Sequence, residues 1–461
     1  MSIDATCLRA ISSVDLQANF TQRISRSRTL TCRHCNFSPA IHPSNAAVEG
    51  CAGIKSSTVG ATSGFRPSNS LSRSMTQPIP LTATRFTPNP SAAILTESEQ
   101  CEQSRENEWL LEIRVRPEDV AGFKQDYEAI AETWPSDLRT TRDAVALEDF
   151  VIDAAALVQK WLPRDVLRRV TKFNSDASQP SALVIRGLPI DDDLPPTTAE
   201  GAQIKVGKYM SETWLAGIGR VIGQPFNLRF GPMESLKTGG LGMLFKDILP
   251  VLSEEEKVSQ NGSAAYLDLH CDYFQCVQEC WVHTLAFIGI RGDPQLAGRT
   301  LLADFREIYK RANSADIELL RAKPITWRFG PRPEQWFSQL IIDGSDDNPH
   351  IYLFDEMVDN FHQVKDLVSG DPDVVAAYRR MKVLGRDLAL EHGGVRLEGG
   401  DVLLLNQRRV AHGRNGFEAK YDGNDRWLQK LYVNEGQIWQ PHGHSPWPER
   451  VLPYVVRKTS S

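Results

Sequence analysis

The sequence predicts a mainly β, or α+β, fold: a double-stranded β-helix (jelly-roll) barrel with flanking helices. Short apolar runs, separated by turns rich in Gly, Asp, Pro and Asn, fill the C-terminal half of the chain. Longer helical patterns precede them, and the sequence has neither a βαβ alternation nor an internal repeat. Many short strands with helices to one side favour a β-sandwich or a jelly-roll barrel.

Helical patterns dominate the region before residue 225. Strand patterns there cover Trp109–Val115 and Ala182–Leu188, the second a compact apolar run that Gly and Pro close. Helical spacing of apolar residues covers Pro117–Thr133, Leu147–Val170 and Ile204–Ile222. We therefore expect a helical layer beside the strands that follow.

Short strands dominate the region after residue 225. Two helical inserts interrupt them, at Phe305–Ala312 and Pro372–Glu391. The strands are predicted at Tyr266–Asp272, Val282–Ile290, Thr300–Ala303, Thr326–Arg328, His350–Phe354, Val402–Leu405 and Trp427–Val433.

The N-terminal hundred residues differ from the rest in composition. Residues 1–74 hold eight Lys/Arg, three Asp/Glu and fourteen Ser, whereas all ten Trp lie at or beyond Trp109. Such a composition buries too little apolar surface to offset the entropy of ordering. Residues 1–104 are predicted as a disordered extension, or as spurious sequence upstream of a start at Met75. Residues 105–461 are predicted as one folded domain.

Cysteine usage favours a cytoplasmic protein. Cys271, Cys276 and Cys280 crowd one short region, unlike the spread pairs of a secreted protein of this size. Cys32 and Cys35 form only half of a zinc site. The Arg- and Ser-rich, acid-poor residues 1–74 are also similar to an organellar transit peptide, so an organellar location stays open.

The charge and hydropathy of the chain restrict its partners. The net charge is −6, and residues 75–461 alone are more acidic, which gives no electrostatic argument for nucleic acid. No apolar run approaches the 18 residues of a membrane span. We expect a small-molecule substrate; the oligomeric state is left open.

The first informative motif is an H-x-D sequence on a predicted strand. Side chains two residues apart share a strand face, so His270 and Asp272 would point to one centre. Asp268 would share that face, as a third acid or as a solvated residue near a turn. Alone, an H-x-D pair is more often structural than a metal site.

Two further motifs follow near the C-terminus. His412 comes after the apolar strand that begins at Gly400, in what reads as a polar loop. On the last strand, Arg426 and Lys430 fall on one face. If that face lines a barrel, two buried cations need an anionic partner, and Arg suits a carboxylate especially well.

Together these residues describe a facial triad. Two imidazoles and one carboxylate, from His270, Asp272 and His412, leave three positions open on non-haem Fe(II). A carboxylate co-substrate such as 2-oxoglutarate would occupy two of them, and O2 the third. The combination is far less often structural than any single motif.

At these residues the chain resembles the TauD-type Fe(II)/2-oxoglutarate-dependent dioxygenases. The motifs run H-x-D, then G-x-T-x-x-A-D at Gly298–Asp304, then G-D-x-L-(x)8-H-G-R, then D-G-x-D-R-W-L. The last run, with Arg426 fourteen residues after His412, is most similar to the clavaminate synthase-like branch, which includes arginine and asparagine β-hydroxylases. The resemblance covers residues 180–435 and is most specific at its C-terminal end.

The resemblance implies a role for each matching residue. His270, Asp272 and His412 would ligate iron, Arg426 would bind the distal carboxylate of 2-oxoglutarate, and Thr300 would donate a hydrogen bond to that carboxylate. Residues 105–461 would then be a dioxygenase domain. It would hydroxylate an unactivated carbon of a free amino acid or similar small polar metabolite, in specialised metabolite biosynthesis.

Three positions bear on the substrate. Asp272 stands where related halogenases carry Gly or Ala, which favours hydroxylation, although many amino-acid hydroxylases of the branch have Glu there. Lys430 stands where many of them have a second Arg, so the bidentate fork for a substrate carboxylate is lost. Asp355 lies where the branch contributes acidic substrate contacts; a solvated surface acid is an equal alternative.

Two alternatives stay open. The same cofactor chemistry can end in desaturation, epoxidation or ring closure, since substrate pose decides the fate of the radical. A jelly-roll binding or storage protein could also keep the barrel without turnover. The complete set of His270, Asp272, His412 and Arg426 argues against the second alternative, because a silent relative would normally have lost one.

Overall fold

The computed structural model describes residues 108–136, 138, 141, 143–202, 205, 207–229, 244–255, 261–273, 276, 280–329, 332–354, 364–368, 371–436 and 451–453. The predicted N-terminal extension, residues 1–104, lies outside this part, as do Cys32, Cys35 and Asp355.

Helices dominate the first part of the described chain, as predicted. The predicted helix over Leu147–Val170 is two helices, because Pro163 lacks the N–H that would continue the first. The α-helices within the described residues are α1 (Phe123–Ala131), α2 (Ala144–Trp161), α3 (Arg164–Lys172), α4 (Met210–Ile222), α5 (Phe305–Arg311), α6 (Ser314–Ala322) and α7 (Pro372–Glu391).

Strands dominate the second part, and each predicted strand overlaps an observed one. The strands within the described residues are β1 (Leu110–Arg114), β2 (Ala182–Arg186), β3 (Thr197–Thr198), β4 (Gly201–Ala202), β5 (Gln224–Arg229), β6 (Lys246–Ile248), β7 (Leu267–His270), β8 (Thr284–Arg291), β9 (Thr300–Asp304), β10 (Ile325–Phe329), β11 (Arg332–Gln339), β12 (Ile342–Ser345), β13 (Asn348–Ile351), β14 (Val364–Val368), β15 (Val402–Asn406), β16 (Val410–Arg414), β17 (Trp427–Asn434) and β18 (Val451–Pro453).

The largest sheet of the described part has eight strands. Its order is β1-β2-β15-β8-β17-β5-β18, and β6 pairs with β17 beside this path. A second sheet has the order β7-β16-β9. Smaller sheets join β11-β10-β14, β12-β13 and β3-β4.

Both faces of the large sheet are apolar. Leu183, Ile288 and Leu404 belong to one core cluster, which also contains the buried residues of α1 to α4. Val184 and Phe287, on the opposite face, belong to a second cluster that the small β7-β16-β9 sheet shares. Because both faces are covered, β2, β8 and β15 are continuous apolar runs rather than alternating ones.

The small sheet lies between the large sheet and helix α7. On its inner side, the ring of His412 on β16 lies 6.0 Å from that of Phe287 on β8. On its outer side, α7 contacts β7, and Leu269 packs beside Gly385. The space between the two sheets is where the chemically informative side chains meet.

The described helices include none that is both long and apolar enough to cross a membrane.

Candidate metal centre and anion site

His270, Asp272 and His412 come together between the two sheets. His270 ends β7 and pairs directly with His412 on β16, and their ring centroids lie 4.3 Å apart. Nε2 of His270 lies 3.3 Å from Oδ1 of Asp272. One ligand atom from each residue lies within 4.8 Å of the other two, an arrangement that no other His, Cys, Asp or Glu group in the described residues matches.

His412 lies on a strand rather than in the polar loop that the sequence suggested. Strand β16 pairs with β7 on one side and β9 on the other, so backbone hydrogen bonds fix the position of His412 on both sides. The residues of β16 lack an apolar alternation, which explains why the sequence pattern did not reveal this strand.

The donor atoms of this cluster fit a metal ion. Oδ2 of Asp272 and Nδ1 of His412 are buried and accept no hydrogen bond from any described residue. Nδ1 of His270 lies 2.9 Å from the carbonyl oxygen of Asp268, which leaves Nε2 for the centre of the cluster. Two imidazoles and one carboxylate are a donor set that suits Fe(II).

Electrostatics keep these donors in their ligating forms. Burial, then the neighbouring His270, lowers the pKa of His412 to about 3, so the His412 imidazole is neutral. Burial alone would raise the pKa of Asp272, but the Lys430 ammonium and the two imidazoles hold it well below its usual range. Asp272 is therefore an ionised carboxylate.

Arg426, just before β17, is a buried cation without a carboxylate partner among the described residues. Its guanidinium lies 5.9 Å from the ring centre of Phe417, and burial lowers its pKa to about 10. The nearby Asp293 carboxylate instead accepts backbone N–H groups, including those of Ala297 and Gly298. A buried charge of this kind needs an anion, so Arg426 can bind a carboxylate.

Arg414 is a second cation at this site, and sequence reasoning missed it. Its guanidinium lies 5.4 Å from the same Phe417 ring, it donates to the carbonyl oxygen of Ala265 at 2.9 Å, and its Nε has no hydrogen-bond partner among the described residues. Burial, then the charge of Arg426, lowers its pKa to about 9. Arg414 follows His412 by two residues, so strand periodicity could have placed both on one face.

Thr300 lies beside this anion site. It opens β9 and pairs with Arg414 on β16. Two residues earlier, Gly298 lies so close to Arg426 that an added Cβ would meet its Cδ at 2.9 Å. The motif that contains Gly298 and Thr300 therefore adjoins both arginines.

Lys430 lies beside the metal cluster. Its Nζ is 3.7 Å from Oδ2 of Asp272 and 5.4 Å from the ring centre of Tyr432. Tyr432 belongs to the core cluster on the inner side of the large sheet, so Lys430, two residues earlier on the same strand, faces inward as well.

Asp268 does not share the face of His270, contrary to the expectation from strand periodicity. Its carboxylate lies 3.0 Å from Lys382 and 3.0 Å from Arg386 on α7, on the outer side of the small sheet. The register between β7 and β16 shifts between His412 and Arg414, and such an irregularity breaks the alternation of side chains. Asp268 therefore supports His270 through its backbone oxygen.

Asp355, the other acidic candidate, lies outside the described residues.

The chain is similar to characterised amino-acid oxygenases. It is 26% identical to the L-lysine 3-hydroxylase of Catenulispora acidiphila, over 65% of this chain and 79% of that protein. It is 25% identical to the L-asparagine oxygenase of Streptomyces coelicolor, over 61% and 79%. It is 26% identical to clavaminate synthase 2 of Streptomyces clavuligerus, over 61% and 82%. No protein-family model matches the chain.

Solved structures share the fold. Asparagine oxygenase in complex with Fe(II), 2S,3S-3-hydroxyasparagine and succinate superposes with a TM-score of 0.56 and 20% identity, covering 75% of this chain and 99% of that one. The non-heme iron oxygenase OrfP in complex with Fe and alpha-ketoglutaric acid gives a TM-score of 0.52 and 21% identity, over 70% and 94%.

By its relatives and its fold, the chain is similar to non-haem iron oxygenases of the clavaminate synthase-like type. The facial arrangement of His270, Asp272 and His412 beside a buried arginine agrees with that class.

Proposed function

We propose that this protein is an Fe(II)- and 2-oxoglutarate-dependent hydroxylase of a free amino acid or similar small polar metabolite. One observation carries the proposal: the buried cluster of His270, Asp272 and His412 lies between two sheets that also hold Arg426, a buried cation without a carboxylate partner among the described residues. We assign the activity to residues 105–461.

The metal would be held by His270, Asp272 and His412. When bound with 2-oxoglutarate and O2, Fe(II) supplies the oxidation of an unactivated C–H bond, with release of succinate and carbon dioxide. The chain contributes two imidazoles on a rigid strand pair and one carboxylate two residues beyond the end of β7. Hydrogen-bonded strands hold such ligands more precisely than loops do.

Arg426 would bind the distal carboxylate of 2-oxoglutarate, and Thr300 would donate a hydrogen bond to it. The Phe417 ring lies against the guanidinium of Arg426 and excludes water from one side of it. In such a dry site a charge-assisted hydrogen bond is about twice as strong as a neutral one. Arg414, whose guanidinium lies 5.4 Å from the centre of the same ring, adds a second positive charge.

We also propose that the two facing sheets form a double-stranded β-helix barrel. The contact between Phe287 on the large sheet and His412 on the small sheet supports this arrangement, as does the approach of Lys430 to Asp272. The metal cluster would then lie inside the barrel, shielded from bulk water.

An amino acid is the substrate class that the relatives suggest. The named relatives act on lysine, asparagine, or ornithine and arginine. In this chain Lys430 would bind a carboxylate of the substrate, and Asp355 stays a candidate for a cationic side chain or amine. The complete ligand set argues against a silent binding protein, and Asp272 favours hydroxylation, since a carboxylate there leaves no position for chloride.

Succinate release tests this function. The full chain with Fe(II), 2-oxoglutarate and O2 is offered L-lysine, L-asparagine, L-arginine and L-ornithine in turn, with Asp272→Ala as the matched control. We expect one of them to stimulate succinate release and to gain one oxygen atom by mass spectrometry. Loss of two hydrogen atoms would indicate desaturation or ring closure instead. No stimulation by any amino acid would contradict the proposed substrate class.

A further inference from the structure

A second lysine lies opposite Lys430. We propose that Lys246 and Lys430 together bind one carboxylate of the substrate as a two-lysine clamp, with Lys246 determining specificity. This inference rests on the proposed function and goes beyond it, because it assigns a binding role to a strand on which the sequence indicated no site.

The pairing of two strands brings the lysines together. Lys246 on β6 is the direct cross-strand partner of Lys430 on β17. In an antiparallel pair, opposite residues place their Cβ atoms about 4.5–5.5 Å apart on the same face. Both side chains therefore leave the sheet on its inner face, where Ile248 and Leu428 also lie.

The two ammonium groups lie beside the same aromatic ring, and that of Lys430 also lies beside the metal cluster. Nζ of Lys246 is 5.5 Å from the ring centre of Tyr432, and Nζ of Lys430 is 5.4 Å from that same centre. Nζ of Lys246 is also 5.9 Å from the ring of Tyr273, the residue that follows Asp272. Lys246 is only 4% exposed, so its charge is directed into the interior.

A buried polar network on the other face of the sheet fixes this register. The side chain of Asp247 accepts hydrogen bonds from Nε1 of Trp427 at 2.9 Å and from Nε2 of Gln429 at 3.2 Å. Gln429 also donates to Glu212 on α4 at 2.7 Å. Because Asp247 and Gln429 are held outward, their neighbours Lys246 and Lys430 are directed inward.

The chemistry of a carboxylate explains why two lysines would be placed this way. Like charges directly opposite on neighbouring strands destabilise a sheet. Asp272, 3.7 Å from Lys430, offsets part of that cost, and a bound carboxylate would offset more of it. A single ammonium is a point charge and cannot reproduce the bidentate fork of arginine. Two ammonium groups on neighbouring strands can each donate to one oxygen of a carboxylate, which restores two-point binding.

The test compares an amino acid with its uncharged α-carboxamide. The amino acid is the one of L-lysine, L-asparagine, L-arginine and L-ornithine that best stimulates succinate release by the wild-type holoenzyme. Calorimetric titration of both compounds into the protein loaded with Mn(II) and 2-oxoglutarate gives the Kd ratio without turnover. We expect the wild type to prefer the carboxylate, and Lys246→Met to lose roughly 10- to 100-fold of that preference.

Rescue separates a binding role from a structural one. In the double variant Lys246→Met/Lys430→Arg, the guanidinium supplies both donors, so the preference should return to within a few-fold of wild type. The Kd for 2-oxoglutarate should stay unchanged throughout, as should every value in the surface control Lys208→Met. If Lys246→Met does not fold, Lys246→Gln tests the same loss of charge.

The outcomes distinguish this proposal from the proposed function. A wild type that no amino acid stimulates contradicts the amino-acid substrate itself. A wild type that turns over, with an unchanged preference in Lys246→Met, contradicts the clamp alone. Failure of the Lys430→Arg rescue would show that Lys246 acts by some means other than supplying a second donor.

Discussion

At the scale of single residues, Arg426 is the group whose surroundings most need a ligand. It is 3% exposed and lies beside Phe417 and Gly298, and the nearby Asp293 carboxylate, which accepts backbone N–H groups, forms no ion pair with it. A buried cation of this kind lowers stability unless an anion binds it. The distal carboxylate of 2-oxoglutarate satisfies that need in the proposed complex.

Truncation of Arg426 should weaken 2-oxoglutarate binding strongly. Loss of a buried, hydrogen-bonded charge pair costs about 2–5 kcal/mol, which corresponds to a rise in Kd of about 30-fold to several thousand-fold. The measurement is a 2-oxoglutarate titration of Arg426→Ala. The exposed Arg299→Ala serves as control and should leave the Kd unchanged. An unchanged Kd in Arg426→Ala would show that this arginine is not the carboxylate ligand.

Gly298 should also affect 2-oxoglutarate binding, because its lack of a side chain leaves room for Arg426. A Cβ at this position would meet Cδ of Arg426 at 2.9 Å, so Gly298→Ala should displace the guanidinium and raise the Kd for 2-oxoglutarate. Gly416→Ala is a matched control, because its Cβ would meet nothing nearer than 3.4 Å. Equal effects of the two substitutions would argue against close packing of Gly298 on Arg426.

The residues of the site differ in how far the sequence revealed them. His270, Asp272, His412 and Arg426 lie in short motifs whose spacing is visible directly. The position of Lys246 in the site is not visible from the sequence. It depends on the three-residue strand β6, which pairs with β17 far along the chain. For Asp268 the error is the opposite. Simple strand alternation predicted that its side chain lies in the site, whereas the irregular register between β7 and β16 directs it away.

At the scale of secondary-structure elements, the strands and helices with many apolar residues could be predicted from the sequence, and the more polar ones could not. The buried strands β2, β8 and β15 are recognisable from composition alone. Strand β16 is not recognisable in this way, because it contains His, Gly and Arg. These residues form a strand only through pairing with β7 and β9. Helix α6 was missed as well, since it follows α5 after a short connection and has only two buried residues.

The loop before β8 and strand β13 hold two histidines that should make stability depend on pH. Burial, then the nearby Arg408, lowers the pKa values of His283 and His350 to about 4. Both are therefore neutral in the folded state at pH values where the unfolded chain binds protons. Stability should fall as the pH drops from about 6.5 to 4.

His283→Asn isolates one of these groups. Asn can still accept the hydrogen bond that the backbone N–H of Glu435 donates to Nδ1 of His283, but it does not titrate. The stability of the variant relative to wild type should rise by up to about 3 kcal/mol between pH 6.5 and 4. Urea unfolding at several pH values measures this difference. A difference that stays constant across that range would contradict the burial of a neutral His283.

At the scale of the whole molecule, the charge of the chain and the charge of its site have opposite signs. The net charge is −6, yet four cations lie around the metal cluster and the anion site: Lys246, Arg414, Arg426 and Lys430. Net charge describes the solvated surface, whereas ligand binding depends on a few buried groups. Composition alone therefore gave no electrostatic argument for a nucleic-acid partner, and it gave no information about an acidic co-substrate.

The layered arrangement explains how these groups are held together. Helices α2 and α4 cover one face of the large sheet, and the small sheet and α7 cover the other. His270 of β7 and His412 of β16 thus lie near Lys430 of β17 in the space between the two sheets. The sequence predicted which segments are helices and which are strands. That the two sheets face each other follows only from strand pairing between residues far apart in the chain.

Anaerobic titration of the full chain with Fe(II) and 2-oxoglutarate tests the central claim most directly. We expect a visible charge-transfer band in the wild type that appears only when both are present. His412→Ala should abolish it, because two ligands cannot hold the ion in the chelating geometry. A wild type without the band, or a band that persists unchanged in His412→Ala, would contradict the assignment of His270, Asp272 and His412 as the iron site.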